Sequence, residues 1–312
     1  MNRFGRAWLA GAAVLMAAAV TGILVFALPG SPPRRPGQAL PPSSLAAPVH
    51  FRTLPPGAPL PSGDQCARWV RGSPSPENRP LNEVFNHTVG QYVGPGFFPA
   101  GDRPQAESLT SRINGDFTGT TREILRWAAC KWGINQNIVF AQAAVESWWR
   151  QRLLGDWGTN PLRCPPGHSI GAQGHQGVCP ESYGILQNKY PVERAAWPGI
   201  GASTAMNADA AYAIWRSCYN GYEVWLNNEP RGRPYHAGDA WGCVGRWFAG
   251  KWYTPAAAGY IHRVERFVRE RIWAQPEFAR PGPAGPGTAA KVAPLVQGGR
   301  RISGNGNGQG QR

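Results

Sequence analysis

The sequence predicts a mainly α-helical domain whose long loops are stapled by disulfides. Three observations carry this. Apolar residues recur at helical spacing in four segments between residues 120 and 273, with recognisable start and stop signals. Six cysteines, at 66, 130, 164, 179, 218 and 243, are spread through the same region. Residues 154 to 206 are rich in glycine and proline, and loops that long are usually functional or cross-linked.

Composition sets the outer bounds. Of 312 residues, 40 are glycine and 31 proline, too many for one uninterrupted compact fold. A hydrophobic fraction of 42%, with 14 tryptophans, excludes a wholly disordered chain, because disorder requires low hydrophobicity and dense charge. Glycine shows no three-residue period, which excludes collagen, and the single long apolar run excludes a polytopic membrane protein. Against 18 Asp and Glu stand 32 Lys and Arg, a formal charge of +14 that favours anionic partners.

The elements follow in order. Arg3 and Arg6 precede an uncharged run from Ala7 to Leu28, about as long as the ~20 residues of a membrane-spanning helix. Residues 1–30 are therefore expected to be an N-terminal transmembrane anchor or uncleaved signal. The body then lies outside the cytoplasm, in a periplasm or at the cell surface, or is secreted if the segment is cleaved. Export turns the positive charge toward an anionic wall or lipid headgroups; nucleic acid is not expected, and no motif for it is present. Residues 31–61, rich in Pro, Gly and Ala, read as a linker. Residues 62–119 read as an N-terminal extension packed on the domain that follows, with Asn78, Asn82 and Asn86 recurring every four residues around Leu81, Val84 and Phe85.

The domain itself is assigned to 120–279. Thr120 and Glu123 have capping-box spacing and open a helix that stops at Gly133. A second helix is expected from Asn137 to Leu153. A third is expected from Asn207 to Asn220, with Gly221 as its C-cap. The fourth starts at Pro255 and carries the stripe Tyr260, Ile261, Val264, Phe267, Val268 and Ile272. Residues 280–312, a Gly- and Pro-rich stretch with few large apolar residues, read as a disordered tail.

Six cysteines allow 15 connectivities. Pairing in chain order is the expectation, as Cys66–Cys130, Cys164–Cys179 and Cys218–Cys243. Cys164, His168, His175 and Cys179 have a symmetric spacing that could also hold zinc, but outside the cytoplasm a disulfide is favoured. No metal and no cofactor is expected.

The segment that carries chemistry is Ala141 to Trp149. Glu146 sits near the end of an otherwise apolar helix and is followed by Ser147 and two tryptophans. Desolvation there raises a carboxyl pKa and keeps the acid populated near neutrality, as a general acid acting on a glycosidic oxygen requires. The bland alternative is a surface Glu paired with Arg150 at i+4. Downstream, Ser182-Tyr183-Gly184-Ile185-Leu186-Gln187 offers a glycine for close backbone approach, flanked by hydroxyl and amide groups that can bind sugar substituents. Among the tryptophans, Trp157 and Trp252 are the first candidates to line a groove.

These segments resemble the lytic transglycosylase family, whose lysozyme-like domain is related to goose-type lysozyme. Glu146-Ser147 and Ser182-x-Gly184-Ile185-Leu186-Gln187 match two of its elements; Asn207 with Ala210 and Ala211, Trp247-Phe248-Ala249-Gly250, and Tyr260 with Val264 match three more in order. The resemblance covers roughly residues 120 to 273 and implies a lysozyme-like fold that cleaves the bond between N-acetylmuramic acid and N-acetylglucosamine in peptidoglycan glycan strands. Glu146 is then the catalytic residue, acid first and base second, giving a 1,6-anhydro product. Ser182, Tyr183, Gln187 and Tyr260 are then the substrate-binding residues. Two departures stand out. The interval from Glu146 to Ser182 is longer than usual, and Phe248 replaces the family's asparagine. Two rival readings are a hydrolytic muramidase, with Asp156 or Glu181 positioning water, and a non-catalytic wall-binding scaffold of the same fold.

Overall fold

The computed structural model describes residues 49–228 and 233–279. The apolar segment 1–30, the linker up to residue 48 and the tail 280–312 lie outside the described residues. Among the described residues no helix is long and apolar enough to cross a membrane.

The fold is mainly helical. Ahead of the predicted domain come α1 (Gly63–Arg71) and the single turn α2 (Glu83–Asn86). Helix α3 (Thr121–Lys131) starts at the expected capping box: Thr120 accepts from the Glu123 N–H, and Glu123 Oε2 accepts from the Thr120 N–H at 2.9 Å. Then come α4 (Gln136–Ser147), the short α5 (Gly199–Ala202), α6 (Thr204–Tyr219), α7 (Ala240–Ala249) and α8 (Pro255–Glu270). Helix α6 is buried along its whole length. It packs against α3, α5 and α7, while α8 packs against α4 and α7. Pro255 occupies the first turn of α8, with Thr254 accepting from the Ala257 N–H as its cap.

Between α4 and α5 lies a small antiparallel sheet in the order β1-β2-β3: β1 (Leu154–Gly155), β2 (Ser182–Tyr183) and β3 (Asn188–Lys189). Leu154 faces Tyr183 and Gly155 faces Ser182, and on the other side Ser182 faces Lys189. All three disulfides pair in chain order, as expected. Each bridge is worth about 2–4 kcal/mol.

Several boundaries differ from the sequence reading. The second helix ends at Ser147 rather than Leu153, because Trp148 and Trp149 both take left-handed backbone conformations. The third begins at Thr204, not Asn207, because Ser203 caps it by accepting from the Met206 N–H. Helix α7 and the sheet were not foreseen. The linker also ends earlier than Pro61. Phe51 is buried, the Leu54 N–H donates to the Gly133 carbonyl, and the Arg216 guanidinium binds the Leu54 and Pro55 carbonyls, so residues 49–61 are strapped to the body.

One buried charge ties the extension to the domain beside the Cys66–Cys130 bridge. Asp209 on α6 accepts from the Asn114 and Gly115 N–H groups, from Lys131 Nζ at 2.7 Å and from the Trp132 indole at 2.7 Å. Both members of the Lys131–Asp209 pair are buried. Removing one member of a buried pair leaves the other desolvated and uncompensated, so Asp209→Ala is expected to lose about 3–5 kcal/mol of stability. Denaturant unfolding measures this, and a loss below about 1 kcal/mol would mean that water reaches Lys131 in the variant.

Candidate active site

Glu146 is the penultimate residue of α4 and is buried, at 6% exposure. The turn that follows it is strained. Trp148 and Trp149 are consecutive non-glycine residues at φ 57° and 58°, a conformation that costs of order 1–3 kcal/mol each and persists only where the surroundings enforce it. Four contacts enforce it here. The Trp149 indole donates to the Phe140 carbonyl at 2.9 Å, Arg79 Nε to the Trp148 carbonyl at 2.9 Å, and Asn82 Nδ2 to the Trp149 carbonyl at 2.7 Å. Asn82 Oδ1 then accepts from the Gln151 N–H. The extension therefore clamps the backbone next to Glu146. Asn86, one step further in the four-residue repeat, is buried against Thr121 and Glu77.

The Glu146 carboxyl accepts a short hydrogen bond from the Tyr260 hydroxyl, which α8 delivers. Burial pushes its pKa up to about 8. The bond from Tyr260 opposes this, the charge of Asp156 adds to it, and Arg263 and the Trp247 indole pull it back down. The Tyr260 hydroxyl is itself raised well above its ordinary value, chiefly by burial, so it remains a donor. Arg150 turns its guanidinium onto the Ser147 carbonyl, so the i+4 pair with Glu146 is replaced.

The 182–187 segment closes on the end of α4 through side-chain amides and one hydroxyl. Ser147 Oγ donates to the Ile185 carbonyl at 2.8 Å, and Gln151 Oε1 accepts from the Ile185 N–H. Asn207 accepts from the Leu186 N–H and donates to the Tyr183 and Ile200 carbonyls. Gly184 sits at φ +81°, and a Cβ there would collide with Asn207 and Gln151, so this position admits only glycine.

Glu146 and Tyr260 are brought together; the other three predicted site residues serve the loop. Ser182 Oγ donates to Asp156 at 2.8 Å, the Tyr183 hydroxyl donates to the Pro180 carbonyl, and Gln187 Nε2 donates to the Leu153 and Gly184 carbonyls. Asp156 also receives Lys189 Nζ at 2.9 Å. Glu181 is held by Nε and Nη2 of Arg163 in a fork, at 2.8 and 2.7 Å, and of the two carboxylates only the charge of Asp156 acts on Glu146. Trp252 is fully buried, between Tyr235 and Tyr253, and is core rather than groove. Trp157 is half-buried and stacks on His175 at 3.7 Å. Cys164 and Cys179 are joined, so their thiols are not available to zinc, and His168 lies edge-on to Tyr183 and Trp197.

The residues that sequence reasoning missed are Arg79, Asn82, Gln151 and Arg263. The recurring asparagines were the visible signal for Asn82. Comparison of the chain with protein-family models, with curated proteins and with solved structures finds no match.

Glu193 and Glu223 are buried as well, and burial raises their pKa values to about 8 and about 7. With Glu146, these groups bind protons in the folded chain that the unfolded chain releases. Their stabilisation is complete below the ordinary carboxyl range and is lost as pH rises toward 8, at about 1.4 kcal/mol per pH unit for each group. The protein is expected to melt at a lower temperature at pH 8 than at pH 5. Glu146→Gln should shrink that difference; an unchanged difference would show that Glu146 is solvated.

Proposed function

We propose that the protein cleaves the bond between N-acetylmuramic acid and N-acetylglucosamine in peptidoglycan, as a lysozyme-like lytic transglycosylase acting outside the cytoplasm. The observation that carries this is the Glu146 carboxyl: buried, with its pKa raised to about 8, and bonded by Tyr260 at the end of the helix on which the Ser182–Gln187 loop closes. The resemblance in the order of short motifs supports the same reading, and the apolar N-terminal segment would tether the enzyme beside its substrate.

In this reading the Glu146 acid protonates the glycosidic oxygen as the C1–O bond breaks. The carboxylate left behind takes the proton of the muramoyl 6-hydroxyl, whose oxygen closes on C1 to give the 1,6-anhydro ring, and the acid is regenerated without water. Tyr260 holds one carboxyl oxygen and lets the group take both roles. Hydrolysis is the second reading, and one observation favours it: the charge of Asp156 acts on Glu146, and Ser182 and Lys189 fix Asp156 in place. Such a carboxylate could orient water on the far face of the sugar.

Mass spectrometry of muropeptides released by the oxidised protein tests both. Products lighter by one water than hydrolytic ones, lost with Glu146→Gln by about 10²–10⁴-fold in rate, are expected. Products that retain the water would assign hydrolysis with Asp156 as partner. No products from folded protein would leave a wall-binding scaffold.

The pH profile is a separate expectation. Because the first step needs the acid form, the rate should fall above pH 8. Tyr260 stabilises the ionised form, so Tyr260→Phe should move that limb to higher pH while lowering the maximum rate. A limb that stays in place would mean that the Tyr260 hydroxyl does not act on the titrating group.

A further inference from the structure

One wall beside Glu146 is built from the end of α7 and the start of α8. The Trp247 indole acts on the Glu146 carboxyl, and Phe248 lies parallel to Tyr260, with the ring centroids 4.9 Å apart and the planes 3° apart. Phe248 is 37% exposed, so this aromatic wall continues from the buried Tyr260 to solvent. Arg263, one helical turn beyond Tyr260, holds its guanidinium over both rings, 5.5 Å from the Phe248 centroid and 5.6 Å from that of Tyr260.

The guanidinium is poorly satisfied. Its Nε is buried without a hydrogen-bond partner, and among the described residues no carboxylate lies within ion-pair distance of it. The acid whose titration it affects is Glu146, which is neutral through most of the physiological range. A half-buried cation fixed on an aromatic face, beside a neutral acid and open to solvent on one side, is arranged to receive an anion from outside. The planar fork of Arg suits a carboxylate specifically.

We propose that Arg263, supported on Phe248 and Tyr260, forms a binding site for a free carboxylate on the peptide stem of the substrate. The inference rests on the peptidoglycan reading. The N-acetylated sugars of such a strand are neutral around the scissile bond, so its anionic groups near the cut are the stem carboxylates. Arg263 thereby makes the enzyme select strands by the charge of their stems.

Two soluble glycan strands test this, identical except that in one the stem carboxylates are converted to amides. The wild-type protein is expected to cleave the carboxylate strand with a kcat/KM about tenfold higher, the lower end for a charge-assisted hydrogen bond. Arg263→Gln should bring the two rates together, and Arg263→Lys should restore part of the preference. A preference that is absent in the wild type, or intact in Arg263→Gln, would overturn the site. So would an equal fall on both strands with a displaced pH profile, which would make Arg263 a tuner of Glu146. If the wild type cleaves neither strand, the peptidoglycan-cleavage reading fails on its own. Calorimetric binding of the same two strands then decides the site: a tenfold affinity gap lost in Arg263→Gln supports it, and equal affinities overturn it.

Discussion

A carboxyl group kept out of water with a single hydroxyl donor is the constraint from which the rest of this structure follows. Glu146 sits on a helix whose buried residues are mostly apolar, with Gln142 one turn earlier as a polar exception, so little on α4 itself offsets its burial. Helix α8 must come close enough for Tyr260 to reach it. Helix α7 must in turn lie close to α8 and to the chain between them. Gly242 shows how close, since a Cβ there would run into the Trp252 ring. The acid is therefore maintained by packing, and its electrostatics are a consequence of helix spacing.

The ordering of the loop against that helix comes from a different source. Two-residue strands contribute few ladder hydrogen bonds, and the 182–187 backbone is fixed instead by Ser147, Gln151 and Asn207, each meeting a particular N–H or carbonyl. Networks of this kind are costly when incomplete and specific when complete. The strained pair Trp148–Trp149 belongs to the same system, because Asn82 ties its carbonyl to the Gln151 amide. The extension thus takes part in shaping the site, although it contributes nothing to the carboxyl itself.

What the sequence made legible follows the range of each interaction. Helix starts at Thr120 and Pro255 are local events, set by a side chain three residues away or by proline's own φ, and they were readable. The burial of Glu146 was readable from its apolar neighbours. The end of α4 was not, because the left-handed turn at Trp148 and Trp149 is held in part by Arg79 and Asn82, far off in sequence. The strap formed by residues 49–61 was hidden for the same reason: its prolines read as a spacer, while Gly133 and Arg216, the groups that hold Leu54, are 79 and 162 residues away. Trp252 reads as solvent-facing from its polar and glycine neighbours, yet its ring packs on Gly242, ten residues earlier on α7. Ser182, Tyr183 and Gln187, read from the sequence as substrate contacts, make hydrogen bonds that hold the loop in shape.

The chain-order pairing of the cysteines has a consequence for how the protein is made. Cys66–Cys130, Cys164–Cys179 and Cys218–Cys243 neither nest nor cross. If the polypeptide is exported N-terminus first, as the proposed function requires, each cysteine's correct partner is the next one to emerge or the last one to have emerged. Oxidation can keep pace with translocation, every ring closing before the following one begins. The native connectivity then follows from simple order of arrival, and a catalyst of disulfide formation suffices without one that reshuffles.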